Sequence, residues 1–399
     1  MTRTLAVLGS TGSIGLQSLE IAARAPREVR VVGLAAGGSL EALLEQARRL
    51  RPRFLALEHA DDAAAARAAL EDAARGAAVR VGGGAAAWLA AACASDVVLN
   101  GIVGAAGLEA SLRTLERGAR LALANKETLV VGGPLVRRAL ARGGELVPVD
   151  SEHSAALQCL GGRPASEVAR LTLTASGGPL RHHPDWRRAT RAEVLAHPVW
   201  AMGRRITVDS ATLVNKAFEL IEEQALFDLS WDRLDAVIHP QALVHALVTF
   251  TDGSTVLQAA HPDMRLPIQL ALSWPARFGP AVAPLTPADL QGLQFEPLAP
   301  GRWPAFDRGC EAGRAGGSAP CVLNAADEVA VAAFLEGAIP LGAIPDLIAR
   351  VLERHRIEPV ESLEQLARID TWARAETRAA IGAGPTLAAR GAGGPAEGG

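Results

Sequence analysis

Residues 149–155, Val-Asp-Ser-Glu-His-Ser-Ala, set Asp150 and Glu152 two positions apart directly after the apolar run 145–149. In an extended segment, side chains at i and i+2 point the same way, so this pair would face one small volume. A third carboxylate comes from residues 208–223, VDSATLVNKAFELIEE, which read as a helix with Asn215, Lys216 and Glu219 within one turn. Three carboxylates with no His or Cys companions suit a hard, oxygen-seeking divalent ion such as Mg2+ or Mn2+. The competing reading makes 150–152 an exposed turn and Glu219 a solvated helix position, which is what is expected of Glu222 and Glu223.

The segment LAVLGSTGSIG places Gly9, Gly12 and Gly15 where a first strand meets a first helix. The spacing is GxxGxxG, yet the logic of a dinucleotide site carries over. Gly9 permits a tight turn, Gly12 lets backbone approach a pyrophosphate, and Gly15 permits close packing of helix on strand. An ordinary strand-to-helix turn has similar composition and stays open as an alternative. The second strand ends in Gly37, Gly38 and Ser39, with Ser39 placed to cap the next helix and no acid positioned for a ribose 2′-hydroxyl. A free helix N-terminus with a hydroxyl suits a 2′-phosphate, so the pattern favours NADP over NAD.

Residues 174–205 form a long stretch with glycines near both ends, at Gly177-Gly178 and Gly203, and carry Trp186, Trp200 and Met202. A loop of that length in a compact domain acts as a lid or is a disordered insert. His197 has two readings, a donor to a substrate phosphate or a structural histidine. The pair His182-His183 is expected to face solvent and is given no role.

These residues need elements to hold them. At 399 residues the chain exceeds one ordinary core and predicts two or three domains. Residues 4–150 alternate strand-like runs with amphipathic helical stretches, the pattern of a doubly wound, mostly parallel α/β sheet. Longer strand candidates follow, with a hairpin turn expected at Asp252-Gly253, so an α+β domain with a sheet open on one side is expected. The expected division is an NADPH-binding domain at 1–149 and a catalytic, metal-binding domain at 150–275, with a lid at 177–203. A linker at 276–304, a small helical domain at 305–383 and a disordered tail at 384–399 complete it.

A formal net charge of −3 gives no electrostatic case for nucleic acid or a membrane surface. No apolar run reaches the ~18–20 residues of a membrane span, and the strand beginning near Thr4 leaves no room for a leader. Cys93, Cys159, Cys310 and Cys321 form no CxxC pair, which points to reduced thiols in a cytoplasmic protein.

From Leu5 to about Ile381 the chain resembles the 1-deoxy-D-xylulose 5-phosphate reductoisomerase family. The resemblance rests on GSTGSIG, ANKE, VDSEHSA, SGGP, HPVWAMGRRITVDSATLVNKAFE, IHPQALVHALV, HPDMRLPI and NAADEVAVAAF, present in this order. It implies an NADPH- and metal-dependent enzyme of non-mevalonate isoprenoid synthesis and a homodimer. Such an enzyme rearranges 1-deoxy-D-xylulose 5-phosphate and reduces the resulting aldehyde to 2-C-methyl-D-erythritol 4-phosphate. Nucleotide contacts are implied at Thr11, Gly12, Ser13, Ile14, Gly37, Ser39, Asn125, Glu127 and Gly203. Metal ligands are implied at Asp150, Glu152 and Glu219, with Mn2+, Mg2+ or Co2+ as the ion. Contacts to the phosphosugar are implied at Lys126, Ser151, Glu152, Ser176, His197, Ser210, Asn215, Lys216 and Glu219, and Lys126, Glu152, His197 and Lys216 are the candidate catalytic groups. Trp200 is the natural lid residue, and His239 is expected to be structural. Family members often carry Lys-Asn where this chain has Gly38-Ser39. Two alternatives compete: another two-domain NADP-dependent sugar or semialdehyde oxidoreductase, which needs no metal, and a nucleotide-sensing regulator, which would show gaps among the carboxylates and lysines.

Overall fold

The computed structural model describes residues 2–200 and 202–383. Seven short strands come first: β1 (Arg3–Leu8), β2 (Val29–Ala36), β3 (Phe54–Leu57), β4 (Ala78–Val81), β5 (Val97–Asn100), β6 (Arg120–Leu123) and β7 (Glu145–Pro148). Six helices connect them: α1 (Ser13–Arg24), α2 (Leu40–Leu50), α3 (Ala63–Ala73), α4 (Ala85–Ala92), α5 (Gly107–Glu116) and α6 (Lys126–Leu140). The strands pair in the order β4-β3-β2-β1-β5-β6-β7, and every pairing is parallel. Parallel strands buried on both faces read as continuous apolar runs, which is why six of these seven strands are legible as apolar runs in the sequence. β4 was not expected. It is a four-residue edge strand of exposed and half-buried positions, so it carries no apolar run to read.

The chain reverses direction across the sheet between β1 and β5, and ligands bind doubly wound sheets at the carboxyl ends of strands beside such a switch. All seven strands end on that one edge, so Gly9, Gly37, Gly101, Asn125 and Asp150 are delivered to the same side of the molecule.

The middle region runs α7 (Ser151–Leu160), β8 (Val168–Ala175), α8 (Arg191–Leu195), α9 (Arg204–Ala211), α10 (Val214–Phe227), β9 (Leu234–Ile238), β10 (Val244–Phe250), β11 (Thr255–Ala259), α11 (Arg265–Ser273) and β12 (Glu296–Pro297). Its mixed sheet has the order β11-β10-β8-β9-β12. The hairpin turn expected at Asp252-Gly253 joins β10 to β11, with Gly253 at φ 87°. Residues of α7 and α10 share one apolar cluster with β8, β9 and β10. The stretch after Trp274 is largely irregular, but Glu296 and Pro297 hydrogen-bond to β9 and extend the sheet. Helix α11 returns to the first sheet, burying Ile268, Ala271 and Leu272 with Leu19 of α1.

Residues 177–203 are not one continuous loop. Leu180, Ala189 and Val194 are buried in the core of the helical region, and Thr190 closes a capping box with Glu193 at the start of α8. Residues 177–185 are turns and irregular chain, a short helical turn at Trp186–Arg188 and α8 follow, and the described residues between α8 and α9 again lack helix or strand.

Four helices finish the described chain: α12 (Pro304–Ala315), α13 (Ala319–Glu336), α14 (Ala343–Arg354) and α15 (Leu363–Gly382). The tail 384–399 lies outside the described residues. The apolar core of these helices is continuous with α5, α6, α9 and α10. Close approach of α12 to α10 depends on glycine: a Cβ on Gly309 would collide with the Ala217 side chain, and one on Gly313 with Trp231. Filling such a contact costs about 1–3 kcal/mol through displaced side chains and backbone. Gly309→Val is therefore expected to lower the unfolding free energy by about 1–3 kcal/mol, seen as a lower denaturant midpoint, and to weaken activity by shifting α10. An unchanged midpoint in equilibrium unfolding would contradict the packing argument.

Candidate active site

In the glycine loop, Gly9 makes the tight turn and Gly15 the close helix–strand packing that their spacing suggests. Gly9 sits at φ 79°, and a Cβ there would lie 2.8 Å from the Gly101 carbonyl oxygen. A Cβ on Gly15 would strike the backbone of Gly9 and Ser10. Gly12 caps α1 from an extended conformation with no side-chain bond, so the helix N-terminus at Thr11–Ile14 stays open for an anion. Ser10 is fully buried and locked to Gln46, whose amide donates to the Ser10 carbonyl. Gly37 and Ser39 lie exposed at the end of β2, Ser39 as the cap residue of α2.

Asn125 caps α6, accepting from the Thr128 amide at 3.0 Å and donating to the carbonyls of Ile102 and Gly104 at 2.8 Å. It thereby ties the ends of β5 and β6 together. Glu127, in the first turn of α6, accepts from Asn125 and from Arg205. Gly203 caps α9.

Asp150 and Glu152 are not in an extended segment. Asp150 is the N-cap of α7, accepting from the Glu152 amide at 3.1 Å, and Glu152 is in the first turn. The two still converge, because a cap side chain folds over the first turn of its own helix. Glu219 approaches from α10, and oxygens of Asp150, Glu152 and Glu219 all lie within 4.8 Å of one another. Helix α10 begins at Leu213, a buried non-glycine residue in the left-handed region at φ 57°. Strain of this kind, costing about 1–3 kcal/mol, collects at functional sites.

Lys126 Nζ lies 3.0 Å from Asp150, 2.9 Å from Glu222 and 3.5 Å from Glu219. Lys216 Nζ lies 3.0 Å from Glu152 and also pairs with Glu219. Asn215 donates to Glu219, leaving its own Oδ1 buried without a partner. Ser151 donates to Glu152.

Glu222 and Glu223, expected to be solvated, are 2% and 0% exposed. Glu222 pairs with Lys126 and His153, and Glu223 pairs with His153 Nδ1 at 2.7 Å. The signal was present: Glu219, Glu222 and Glu223 stand at i, i+3 and i+4, one face of a helix, and His153 lies inside VDSEHSA. Solvation was assumed because charge runs usually face water.

Burial alone would raise Asp150, but Lys126, His153 and Lys216 hold it far below the usual carboxylate range. Burial would lower His153, but Asp150, Glu222 and Glu223 keep it protonated well above its ordinary range. Glu219 is pushed up to about 7 by burial and by Glu152 and Asp150, against the pull of Lys216 and Lys126. With all five carboxylates ionised, they exceed the two lysines and one imidazolium by two charges, the charge of a divalent cation. The residues fit such an ion.

Beside this cluster, Ser176 follows β8, and the Gly177-Gly178 turn brings it against α9: a Cβ on Gly178 would lie 2.6 Å from the Ser210 carbonyl. His197 Nδ1 accepts from the amides of Val199 and Trp200, at 3.2 and 2.9 Å. Its proton is therefore on Nε2 and is donated to Ser176 Oγ at 3.1 Å. Burial lowers the His197 pKa, which favours this neutral form. Ser176 Oγ also accepts from the Gly178 amide at 3.2 Å, so its own proton is free to donate outward. Trp200 stands over His245, with ring centroids 6.5 Å apart. His239 is fully buried, bonded to Gln294 and Leu243 backbone, and belongs to the scaffold.

Family models match in three consecutive parts: 1-deoxy-D-xylulose 5-phosphate reductoisomerase over residues 5–133, its C-terminal domain over 146–227, and a DXP reductoisomerase C-terminal domain over 259–376. The 1-deoxy-D-xylulose 5-phosphate reductoisomerase of Beutenbergia cavernae is 49% identical over 96% of this chain and 98% of its own length. This chain belongs to that family. The Moorella thermoacetica enzyme is 46% identical over 94% of this chain and 97% of its own. Among solved structures, the Zymomonas mobilis reductoisomerase in complex with NADPH superposes with a TM-score of 0.89 at 34% identity, over 96% of this chain and 99% of that one. A DOX-P reductoisomerase in complex with NADPH, fosmidomycin and magnesium gives 0.86 at 34%, over 95% and 98%.

Removing one partner of a buried charge pair costs about 3–5 kcal/mol, because the other is left uncompensated. Glu222→Gln is expected to lose stability of this order and to weaken turnover, since Lys126 would lose a 2.9 Å partner that fixes its head group. Wild-type stability in chemical denaturation would show that Glu222 is solvated after all.

Proposed function

We propose that the chain converts 1-deoxy-D-xylulose 5-phosphate to 2-C-methyl-D-erythritol 4-phosphate with NADPH and a divalent cation, as an NADP-dependent oxidoreductase of isoprenoid biosynthesis. The observation that carries it is the convergence of Asp150, Glu152 and Glu219 on the sheet edge that also bears the glycine loop.

The open N-terminus of α1 at Thr11–Ile14 receives the dinucleotide pyrophosphate, with Gly37 and Ser39 at its adenosine end and Asn125, Glu127 and Gly203 toward the nicotinamide. Asp150, Glu152 and Glu219 hold the metal ion, which supplies Lewis-acid polarisation of adjacent substrate oxygens. Lys126 and Lys216 flank these carboxylates and serve as donors to substrate oxygens. Glu152, bonded to Ser151 and Lys216, is placed to move a proton. Ser176, Ser210, Asn215 and Lys216 form a donor set for the phosphate, and His197 orients Ser176. Trp200 covers the substrate and excludes water.

The exposed edge of β11, where Val256 and Leu257 are 44% and 47% exposed, supports a homodimer formed through that face. No helix among the described residues is long and apolar enough to cross a membrane, and the four free cysteines are buried. Four cysteines left unpaired support placement in a reducing compartment such as the cytoplasm.

Purified protein supplied with the phosphosugar and NADPH should oxidise NADPH only with Mn2+, Mg2+ or Co2+ present. Full turnover after chelation would overturn the proposal. Glu219→Gln should reduce turnover by ~10²-fold or more, because several kcal/mol of transition-state stabilisation depend on the ion's carboxylate shell. NADPH binding should survive in that variant, since the glycine loop lies on other elements.

Trp200→Ala should raise KM and lower kcat together, because covering the substrate both retains it and completes the site. If neither parameter moves, the segment from His197 to Gly203 is not a lid.

A further inference from the structure

Arg205 sits in the first turn of α9, two residues past Gly203, where the irregular segment after His197 ends. Its guanidinium joins three separate elements. Nη1 donates to Glu127 Oε1 of α6 at 2.8 Å and to Glu328 Oε1 of α13 at 2.9 Å. Nη2 donates to Asn324 Oδ1 at 3.1 Å. Asp209 and Asp327 lie 3.6 and 3.7 Å away. The other carboxylate oxygen of Glu127 accepts from Asn125 at 2.8 Å, so both oxygens of an 8% exposed carboxylate are held in one orientation.

We infer that Arg205 is a positioning residue for the dinucleotide: it fixes Glu127 on the cofactor side and fastens the end of the lid to the same point. The inference rests on the proposed place of Glu127 among the NADPH contacts.

Arg205 is suited to this by the shape of its head group. One planar fork serves Glu127, Glu328 and Asn324 together, which a lysine ammonium cannot do. Charge points the same way. Around Arg205 stand Glu127, Asp209, Asp327 and Glu328. The nearby Arg374 serves Glu328 and Asp370 but has no bond to Glu127. Burial pushes Asp209 up to about 7 even against the pull of Arg205, and Asp327 is raised further by burial and by Asp209. The acids outnumber their cations, and Arg205 is the cation that bonds Glu127 among them. Through this cluster, the nicotinamide end of the cofactor site, the lid's end and the helical domain share one anchor.

The test is NADPH affinity of the full-length protein, read by fluorescence transfer to the bound cofactor with no phosphosugar present. R205M and R205K should each raise the NADPH Kd roughly tenfold or more, the size of a lost charge-assisted bond. R374M should lower Tm by loosening Glu328 but keep the Kd within about twofold of wild type, a separation that a purely structural role would not produce. In the E127Q background, R205M should add little, because Arg205 acts through Glu127. Wild-type Kd in R205K and R205M, additive effects in the double variant, or equal weakening by R374M would each overturn the inference. A wild-type Kd in E127Q would overturn it together with the assignment of Glu127, while metal-dependent turnover by the wild type would still support the proposed activity.

Discussion

The buried ionic cluster at the meeting of α6, α7 and α10 is the constraint on which the rest depends. Burying one uncompensated charge costs several kcal/mol, and here five carboxylates are gathered around Lys126, Lys216 and His153. Such a group holds only if each element is fixed to within a hydrogen bond of its neighbours. Lys126 opens α6, Asp150 caps α7, and Glu219, Glu222 and Glu223 occupy one face of α10. A shift of α10 by one turn would bury its acids against apolar side chains. The deficit of positive charge makes the cluster receptive to a divalent cation, so stability and chemistry draw on the same residues.

The scaffold meets this demand in two ways. A parallel sheet delivers every strand's carboxyl end to one edge, so the glycine loop after β1, the Asn125 cap after β6 and the Asp150 cap after β7 become neighbours without further design. The helical domain then grips α10 from behind. Gly309 and Gly313 let α12 approach it closely, and the shared core with α6 and α10 leaves little freedom for the metal-facing side. The Ser176 side is built differently, on glycine turns at 177–178 and on a neutral His197 whose tautomer is set by two backbone amides. A rigid ionic half beside a turn-based half suits a site that must hold an ion firmly and still admit and release a phosphosugar.

Much of this was legible in the order of residues. Continuous apolar runs give parallel strands because such strands are buried on both faces, and Gly9 and Gly15 could be assigned roles because a Cβ at either would overlap backbone. The hairpin at Asp252-Gly253 and the shared turn of Asn215, Lys216 and Glu219 follow from local periodicity alone. Local pattern failed where long-range burial decided the outcome. β4 lacks an apolar run because it is an edge, and 180–195 looks like loop because its anchors are scattered single residues.

The sequence by itself therefore determined the doubly wound sheet and the family motifs, since each depends on residues close together along the chain, and it named Asp150, Glu152 and Glu219 from two separate local patterns that the fold then brings together. Only the tertiary structure decided that Asp150 caps a helix, that Glu222 and Glu223 are buried partners of Lys126 and His153, and that Arg205 reaches from the first turn of α9 to Glu127. The contacts of Glu222, Glu223 and Arg205 join residues from 70 to 96 positions apart. Whether a charged side chain meets water or a counter-charge depends on what packs over it, and periodicity along one helix carries no record of that neighbour.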